Sequence, residues 1–184
     1  MAANWSVGSG SLNISTPAFG AVLIGQDPSP GDAAIIAGNA WLLDTGSINI
    51  ANSWDSLRID SMMVANAGSS INNRGTITFN APASIQSGSD FNMTGSGASL
   101  VVNSNVTIDT PDFNLDGSGA VDNTTTINSN GLLELNLGSG ADDSFDHTIN
   151  LNGGGQLDVE TLDNDWNLGA NAVISADGGG VSKI

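Results

Sequence analysis

The feature that constrains the fold most is a run of short apolar segments between residues 70 and 137. One such segment comes about every seven residues, and most of them alternate apolar and polar positions. Alternation of this kind is typical of a strand with one buried face. The gaps are filled by Gly, Asn, Ser and Asp, which favour turns. The pattern therefore predicts many short strands joined by turns.

From residue 41 onward, the apolar positions fall into three columns that repeat about every 22 residues. The columns are, in chain order, Ile48, Ile71, Phe91, Phe113, Leu135 and Leu157; then Leu57, Ile77, Leu100, Val121, Phe145 and Trp166; and then Met62, Ile85, Val106, Ile127, Ile149 and Val173. Identity between periods is low, so this is a repeat of structure more than of sequence. Three strands per period that pair with the next period ~4.8 Å away make a parallel β-helix.

The predicted fold class is all-β, a single-stranded parallel β-helix with three short strands per coil and about eight coils in 184 residues. Residues 1–40 are interpreted as an irregular or capping region with a Pro-rich loop, and residues 41–184 as one continuous domain of coils. The best helical segment, residues 31–40, is short. An antiparallel sandwich or jelly roll is the alternative, because Asn130-Gly131 and Asn152-Gly153 are dipeptides typical of hairpins.

The charge balance restricts the partners. Three Lys and Arg residues stand against 19 Asp and Glu residues, for a net charge of −16. Nucleic acid and anionic lipid are therefore not expected as partners, since both require cationic side chains. No apolar run reaches the ~18 residues of a membrane span, so no direct membrane insertion is expected. The N-terminus lacks the basic start and apolar stretch of a signal peptide, and an exported chain would have lost its signal or carry it on a larger precursor.

Three stretches carry a family resemblance: residues 72–80, 148–159 and 166–174. Their Asn, Thr and Gly-rich alternation resembles the degenerate repeats of bacterial autotransporter passenger domains and filamentous-haemagglutinin-type adhesins, over roughly residues 41–180. The resemblance lies in this general residue pattern and includes no diagnostic motif. It implies a right-handed coil, export to the cell surface, and structural or adhesive work. Such passengers usually have many more coils, so a fragment or an assembled subunit is expected.

The sharpest motif is Asp112-Phe-Asn114-Leu-Asp116-Gly117, followed by Asp122. Oxygen ligands at alternate positions and a Gly at the turn match the first half of a calcium loop. The acidic residue at the twelfth position is missing, because Asn123 stands there. The competing interpretation places the same polar residues on the outer side of an ordinary strand. Ca²⁺ is the one cofactor considered, with Asp112, Asn114, Asp116 and Asp122 as its candidate ligands.

Catalysis is not predicted. The chain has one His, no Tyr and no Cys, and His147 is interpreted as a surface residue. Carboxylates at Asp142, Asp143, Asp163 and Asp165 keep a polysaccharide-active enzyme open as a third hypothesis. Columns of Thr and Asn resemble the water-ordering faces of ice-binding proteins, against a plain interpretation as strand-forming, soluble residues.

The predicted function is a non-enzymatic, structural or adhesive segment of a bacterial surface protein, in an extracellular location. Its expected partners are surface glycans or proteins of a host or a neighbouring cell, or other copies of itself. The alternative is a filament subunit that stacks through open end coils.

Overall fold

A computed structural model describes most of the chain. The described residues are 4–7, 12–16, 21–24, 33–44, 46–87, 89–93, 97–110, 112–114, 123–137, 144–145, 148–161, 167–168, 172–177 and 181–183. They contain strands and turns and no helix, and every pair of neighbouring strands is parallel.

Three sheets run along the molecule. Sheet A consists of β1 (Asn4–Val7), β4 (Ala33–Ile36), β7 (Ser56–Ile59), β10 (Thr76–Phe79), β13 (Ser99–Val102), β16 (Thr124–Ile127), β19 (Thr148–Leu151) and β22 (Val173–Ala176). Sheet B consists of β2 (Leu12–Thr16), β5 (Ala40–Asp44), β8 (Met63–Ala65), β11 (Ala83–Ile85), β14 (Asn105–Thr110), β17 (Leu132–Leu137), β20 (Gln156–Thr161) and β23 (Val181–Lys183). Sheet C consists of β3 (Ala21–Ile24), β6 (Ser47–Ile50), β9 (Ser70–Asn73), β12 (Asp90–Met93) and β15 (Asp112–Asn114).

A separate pair, β18 (Ser144–Phe145) and β21 (Asn167–Leu168), is also parallel. The chain passes through sheets A, B and C in turn and then returns to sheet A one strand further along. This is a parallel β-solenoid with three strands per turn and about 23 residues per turn, so the predicted fold class is confirmed.

The predicted number of coils requires correction. The structure covers roughly four turns, not eight, and the nearly continuous stretch of residues 33–110 accounts for this length. On both sides of that stretch, strands of sheets A and B continue the same parallel order, with undescribed residues between them.

Alternation along each strand separates the core from the surface. Strands of residues 47–102 repeat a half-buried then buried pattern, because successive side chains point to opposite sides of a strand. The buried side chains are almost all aliphatic, with Phe79 and Phe91 the largest, and both are 0% exposed. Each inward side chain stacks on its counterpart in the next turn, as Leu57, Ile77 and Leu100 do. Burial of such stacks, worth about 1.5–3 kcal/mol per large side chain, stabilises the solenoid.

Two kinds of corner connect sheet A to sheet B. After β7, β10 and β13, three residues separate the last inward residue of sheet A from the first inward residue of sheet B, for example Phe79 from Ala83. We call these tight corners. After β16 and β19, five residues separate Ile127 from Leu133 and Leu151 from Leu157. We call these wide corners.

The first two predicted columns are correct up to Phe113 and wrong beyond it. The third column is wrong from its start, because Met62 is exposed and Val106 pairs with Ala83, not with Ile85. Ile48, Ile71, Phe91 and Phe113 occupy one position of sheet C, but Leu135 pairs with Ile108 in sheet B. The position of Leu57 and Leu100 continues with Thr125, not with Val121. A constant period fails here because Ser99 and Thr124 are 25 residues apart, whereas Ser56 and Thr76 are 20 apart.

Two further expectations about local structure are wrong. Residues 33–36 of the predicted helical segment form strand β4, whose alternating burial suits a strand. The chain forms corners between parallel strands, and not hairpins, at Asn130-Gly131 and at Asn152-Gly153. The antiparallel alternative is therefore excluded. Strands β1 to β4 lie within residues 1–40 and pair in parallel with later strands. The domain boundary at residue 40 stays a prediction.

Candidate functional site

A ladder of Asn side chains follows sheet A at its corner with sheet B. Asn103 Nδ2 donates to Asn80 Oδ1 at 2.6 Å, Asn128 Nδ2 to Asn103 Oδ1 at 2.7 Å, and Asn152 Nδ2 to Asn128 Oδ1 at 3.1 Å. Each Asn is the first residue after its sheet A strand, where the backbone N–H still bonds the preceding turn, as Asn103 N does to Phe79 O. The strand register therefore places the four amides in one line, which we call the Asn ladder.

Carboxylates lie at both ends of the Asn ladder. Asn80 Nδ2 donates to Asp60 Oδ1 at 2.7 Å, so the N–H ends of the aligned amide groups point towards a negative charge. Such an arrangement is favourable because each amide dipole presents its positive end to the carboxylate. Asp177 follows β22 and accepts from the backbone N–H of Gly153 at 2.7 Å. The two Asp residues occupy the same corner position as the Asn residues between them.

Arg58 completes the first end of the Asn ladder. Its Nη2 and Nε donate to Asp60 Oδ2 at 2.7 and 2.9 Å. These hydrogen bonds, followed in size by the one from Asn80, hold the pKa of Asp60 below its ordinary value, although burial opposes the shift. The Arg58 and Asp60 side chains are 51% and 27% exposed. Because solvent screens such a pair, its net contribution to stability is small, about 0–1 kcal/mol.

A second, shorter row of amides lies on the outer side of sheet C. Asn72 Nδ2 donates to Asn49 Oδ1 at 2.9 Å, and Asn92 Nδ2 donates to Asn72 Oδ1 at 3.2 Å. The next residue in register is Asn114. Stacked amides thus recur on two sheets, which indicates that in-register Asn is a general structural device in this solenoid.

Buried polar groups at other corners are structural. Asn123 Oδ1 accepts from Ala98 N at 2.9 Å, and Asn73 Nδ2 donates to Ser99 O at 2.9 Å. Asp55 Oδ2 accepts from Asn52 Nδ2 at 2.9 Å. Asn123, Asn73 and Asp55 are at most 1% exposed, so their hydrogen bonds satisfy polar groups that would otherwise be costly to bury.

The outer side of sheet A is uncharged over four consecutive strands. Its twelve side chains, including those of the Asn ladder, are half-buried or exposed and contain no ionisable group. They are Thr76, Thr78, Asn80, Ser99, Val101, Asn103, Thr124, Thr126, Asn128, Thr148, Asn150 and Asn152. We call this surface the neutral face. It offers hydroxyl and amide groups that can donate and accept hydrogen bonds, but no acid or base for catalysis.

The outer side of sheet B has a different character. Met62 lies just before β8 and is exposed, and the paired residues Trp41 and Val64 are half-buried. Further along, Glu134 and Asp158 are neighbours in register. This surface therefore combines apolar and acidic patches, in contrast to the neutral face.

The calcium candidates lie mostly outside the described residues. Asp112 and Asn114 are in β15, in register with Asp90 and Asn92 of β12, but their side chains are not described. Asp116 and Asp122 are outside the described residues. The calcium loop stays a prediction.

The catalytic candidates are also outside the described part of the chain: His147, Asp142, Asp143, Asp163 and Asp165. Among the residues that the structure describes, no group of three or more His, Asp or Glu side chains could hold a metal ion. The same residues include no helix with the length and hydropathy needed to cross a membrane.

Comparison with protein-family models, curated proteins and solved structures gave no match. The fold and the side chains described above are therefore the basis for a functional proposal.

Proposed function

We propose that this β-solenoid is a non-enzymatic, structural or adhesive segment of a bacterial surface protein that acts outside the cell. The observation that carries the proposal is the unbroken parallel register of sheet A, reinforced on its outer side by the Asn ladder. A rod of stacked turns with hydrogen-bonded side chains outside and aliphatic stacks inside suits a spacer that presents a surface.

The physical properties of the rod support this role. Each turn contacts mainly its neighbours, so length can vary without a new core, as in other repeat proteins. A net charge of −16 keeps such rods apart in solution. Partners of the surface would be glycans or proteins of a host or a neighbouring cell.

The proposal can be tested with bacteria that encode the chain. Intact cells would be treated with an impermeant amine label and with protease, and the chain detected by antibody, with a cytoplasmic protein as the control. We expect labelling and cleavage on intact cells. Beads coated with the purified chain would then be tested for attachment to eukaryotic and bacterial cells. A chain protected in intact cells contradicts the surface location, and release of reducing sugar from polysaccharides contradicts the non-enzymatic role.

A second candidate is a filament subunit, favoured by the end strands. Among the described strands, β22 and β23 pair on one side only, so their other edges can accept another turn. In β22, Asp177 N bonds back to Leu151 O. Because backbone groups of successive residues in a parallel strand point to opposite sides, the N–H of Ala176 faces the open edge.

Ala176→Pro removes that N–H, and Ala176→Val is the matched control that keeps it. If copies stack through this edge, light scattering during size-exclusion chromatography will give a mass that rises with concentration for the original chain and for Ala176→Val, but not for Ala176→Pro. A mass that stays at one chain at all concentrations contradicts the filament.

A further inference from the structure

We propose that the neutral face binds ice through an ordered layer of water. The proposal goes beyond the surface role above and does not depend on it, because it rests only on the outer side of sheet A. An ice-binding surface must hold water molecules at repeating positions without interrupting their mutual hydrogen bonds. The spacing, stiffness and charge of the neutral face each bear on that requirement.

Spacing is the first point. Strands β10, β13, β16 and β19 are consecutive and paired residue for residue. Their outward side chains therefore form a grid, with ~4.8 Å between strands and about 6.6 Å between alternate residues of one strand. Hydroxyl and amide groups at these repeating distances hold water molecules in a matching pattern. The surface of an ice crystal has a two-dimensional repeat of its own, and we therefore take ice as the ligand that matches this grid.

Stiffness is the second point. Thr and Val have few side-chain rotamers because they are β-branched, and the Asn ladder ties each of its inner amides to the amides on both sides. Each inner Asn retains one N–H and one lone pair for water. Little conformational entropy is lost when such side chains contact a rigid lattice. Longer, flexible side chains would lose more.

Charge is the third point. The chain has a net charge of −16, yet the twelve side chains of the neutral face carry none. The nearest charges in register lie at the two ends, Asp60 with Arg58 on one side and Asp177 on the other. A charged group orients its own hydration shell strongly and would disturb an ice-like layer. An uncharged face therefore complements an uncharged lattice.

The same observations favour ice over a polysaccharide chain. Sugar-binding surfaces use aromatic rings that stack on the sugar, and the twelve residues of the neutral face include none. Thr and Val101 contribute methyl groups instead, which fill the spaces between the polar groups with small apolar surfaces.

The test uses the purified full chain. Thermal hysteresis and the shape of a growing ice crystal would be measured in a nanolitre osmometer, with bovine albumin as a non-binding control. We expect a gap between the melting and growth temperatures, and faceted crystals. Absence of both at the highest soluble concentration overturns the proposal.

Two lysine variants locate the activity. Thr126→Lys places a long cation in the middle of the neutral face, between Val101 and Asn150. Thr107→Lys is its matched control, because Thr107 is an equally half-buried, outward Thr on sheet B. We expect Thr126→Lys to lose the hysteresis and Thr107→Lys to keep it. Equal loss in both variants, with unchanged circular dichroism, overturns the assignment to this face.

A third variant, Thr126→Val, keeps the shape of the side chain and guards against misfolding as an explanation. We expect partial retention of hysteresis, because the γ-methyl contact remains while one hydroxyl is lost. Binding to insoluble cellulose or chitin that Thr126→Lys abolishes, in a chain without ice activity, would overturn the proposal in favour of a neutral polysaccharide.

Discussion

The tight corners and the wide corners make the same connection between sheet A and sheet B with different residues. Both turn the chain from sheet A to sheet B and begin with a member of the Asn ladder or, after β7, with Asp60 at the same position, but the wide corners contain two more residues. After β7, β10 and β13 the corner residues include Met62 and Pro82, and no residue described in these three corners has a positive φ. After β16 and β19 the extra length is folded into a turn with Asn130 at φ 71° and Gly154 at φ 96°.

The comparison shows that the strand stacking and the Asn ladder are the same at both kinds of corner. The additional residues of the longer coils lie in the corner. Asn128 and Asn152 stand before the inserted residues, so the ladder passes the wide corners without interruption. In each wide corner, the inserted residues bring one backbone position close to the backbone of the preceding coil. Gly131 and Gly155 occupy that position, and a Cβ on either would overlap a backbone carbonyl oxygen, of Val102 and Ile127 respectively.

The largest effect is therefore expected for Gly155→Ala. Its new Cβ would overlap Ile127 O, so the strand or the corner must move, at a cost of about 3 kcal/mol. Ser104→Ala in a tight corner is the comparison, and we expect it to change stability by no more than about 0.5 kcal/mol. Urea unfolding measures both. A cost below about 1 kcal/mol for Gly155→Ala would show that wide corners adjust freely.

The next largest effect concerns the ladder. Asn103→Ala and Asn128→Ala each remove a side chain that donates one ladder hydrogen bond and accepts another. At about 0.5–1.5 kcal/mol per hydrogen bond, we expect a loss of about 1–2 kcal/mol for each variant. Asn103 begins a tight corner and Asn128 a wide one, so equal losses in chemical denaturation indicate that the ladder is independent of corner length. A loss confined to one variant contradicts that independence.

A smaller effect is expected for Asn130→Ala, which tests the backbone of the wide corner. Asn130 has φ 71°, a conformation that costs an L residue other than Gly or Asn about 1–2 kcal/mol. We expect Asn130→Ala to lower the free energy of unfolding by about 1 kcal/mol. Asn105 is also exposed but has no positive φ, so Asn105→Ala serves as the matched control. Equal values for the two variants would show that the left-handed turn adds no strain.

The smallest effect is expected at the end of the ladder. The pKa of Asp60 is lowered in the folded chain, chiefly by hydrogen bonds from Arg58. A lowered pKa stabilises the fold above the ordinary pKa of Asp, about 3.9, and this contribution is lost as the pH falls through the folded-state value.

The corresponding variant is Asp60→Asn, compared with the original chain in urea between pH 7 and pH 2.5. The original chain should be more stable by less than about 1 kcal/mol at pH 7, and this difference should decline below about pH 4. A difference that is constant with pH would mean that the Asp60 charge contributes nothing to it.

Much of the fold could be predicted because the physics of a strand is local. Alternation within residues 47–102 identified inward positions such as Ile77 and Leu100, since the two-residue period of a strand depends only on its own backbone. The first two columns failed after Phe113, and the third failed from Met62 onward, because the length of a connection is not visible in the strands themselves. Met62, which was assigned to the core, is 42% exposed, and Met63 is the buried residue. A corner shifts such an assignment by one residue without leaving a mark in the sequence.

The Asn ladder was missed, although the sequence contains a signal for it. An apolar residue followed directly by Asn ends each segment at Phe79-Asn80, Val102-Asn103, Ile127-Asn128 and Leu151-Asn152. The apolar residue closes the buried strand face, and the Asn is the first side chain of the corner. A search for this dipeptide at spacings of 23 to 25 residues would have aligned sheet A correctly through the wide corners.

The amino-acid sequence by itself determined the class of fold, the three-strand turn and the polar, acidic exterior. These follow from the side-chain period and from the charge count, which need no knowledge of distant contacts. The tertiary structure decided which corners are tight, which residues stack, and that the uncharged side chains of four strands lie on one face. Register along the solenoid depends on hydrogen bonds between residues 20 to 25 positions apart, and only the folded chain brings those residues together.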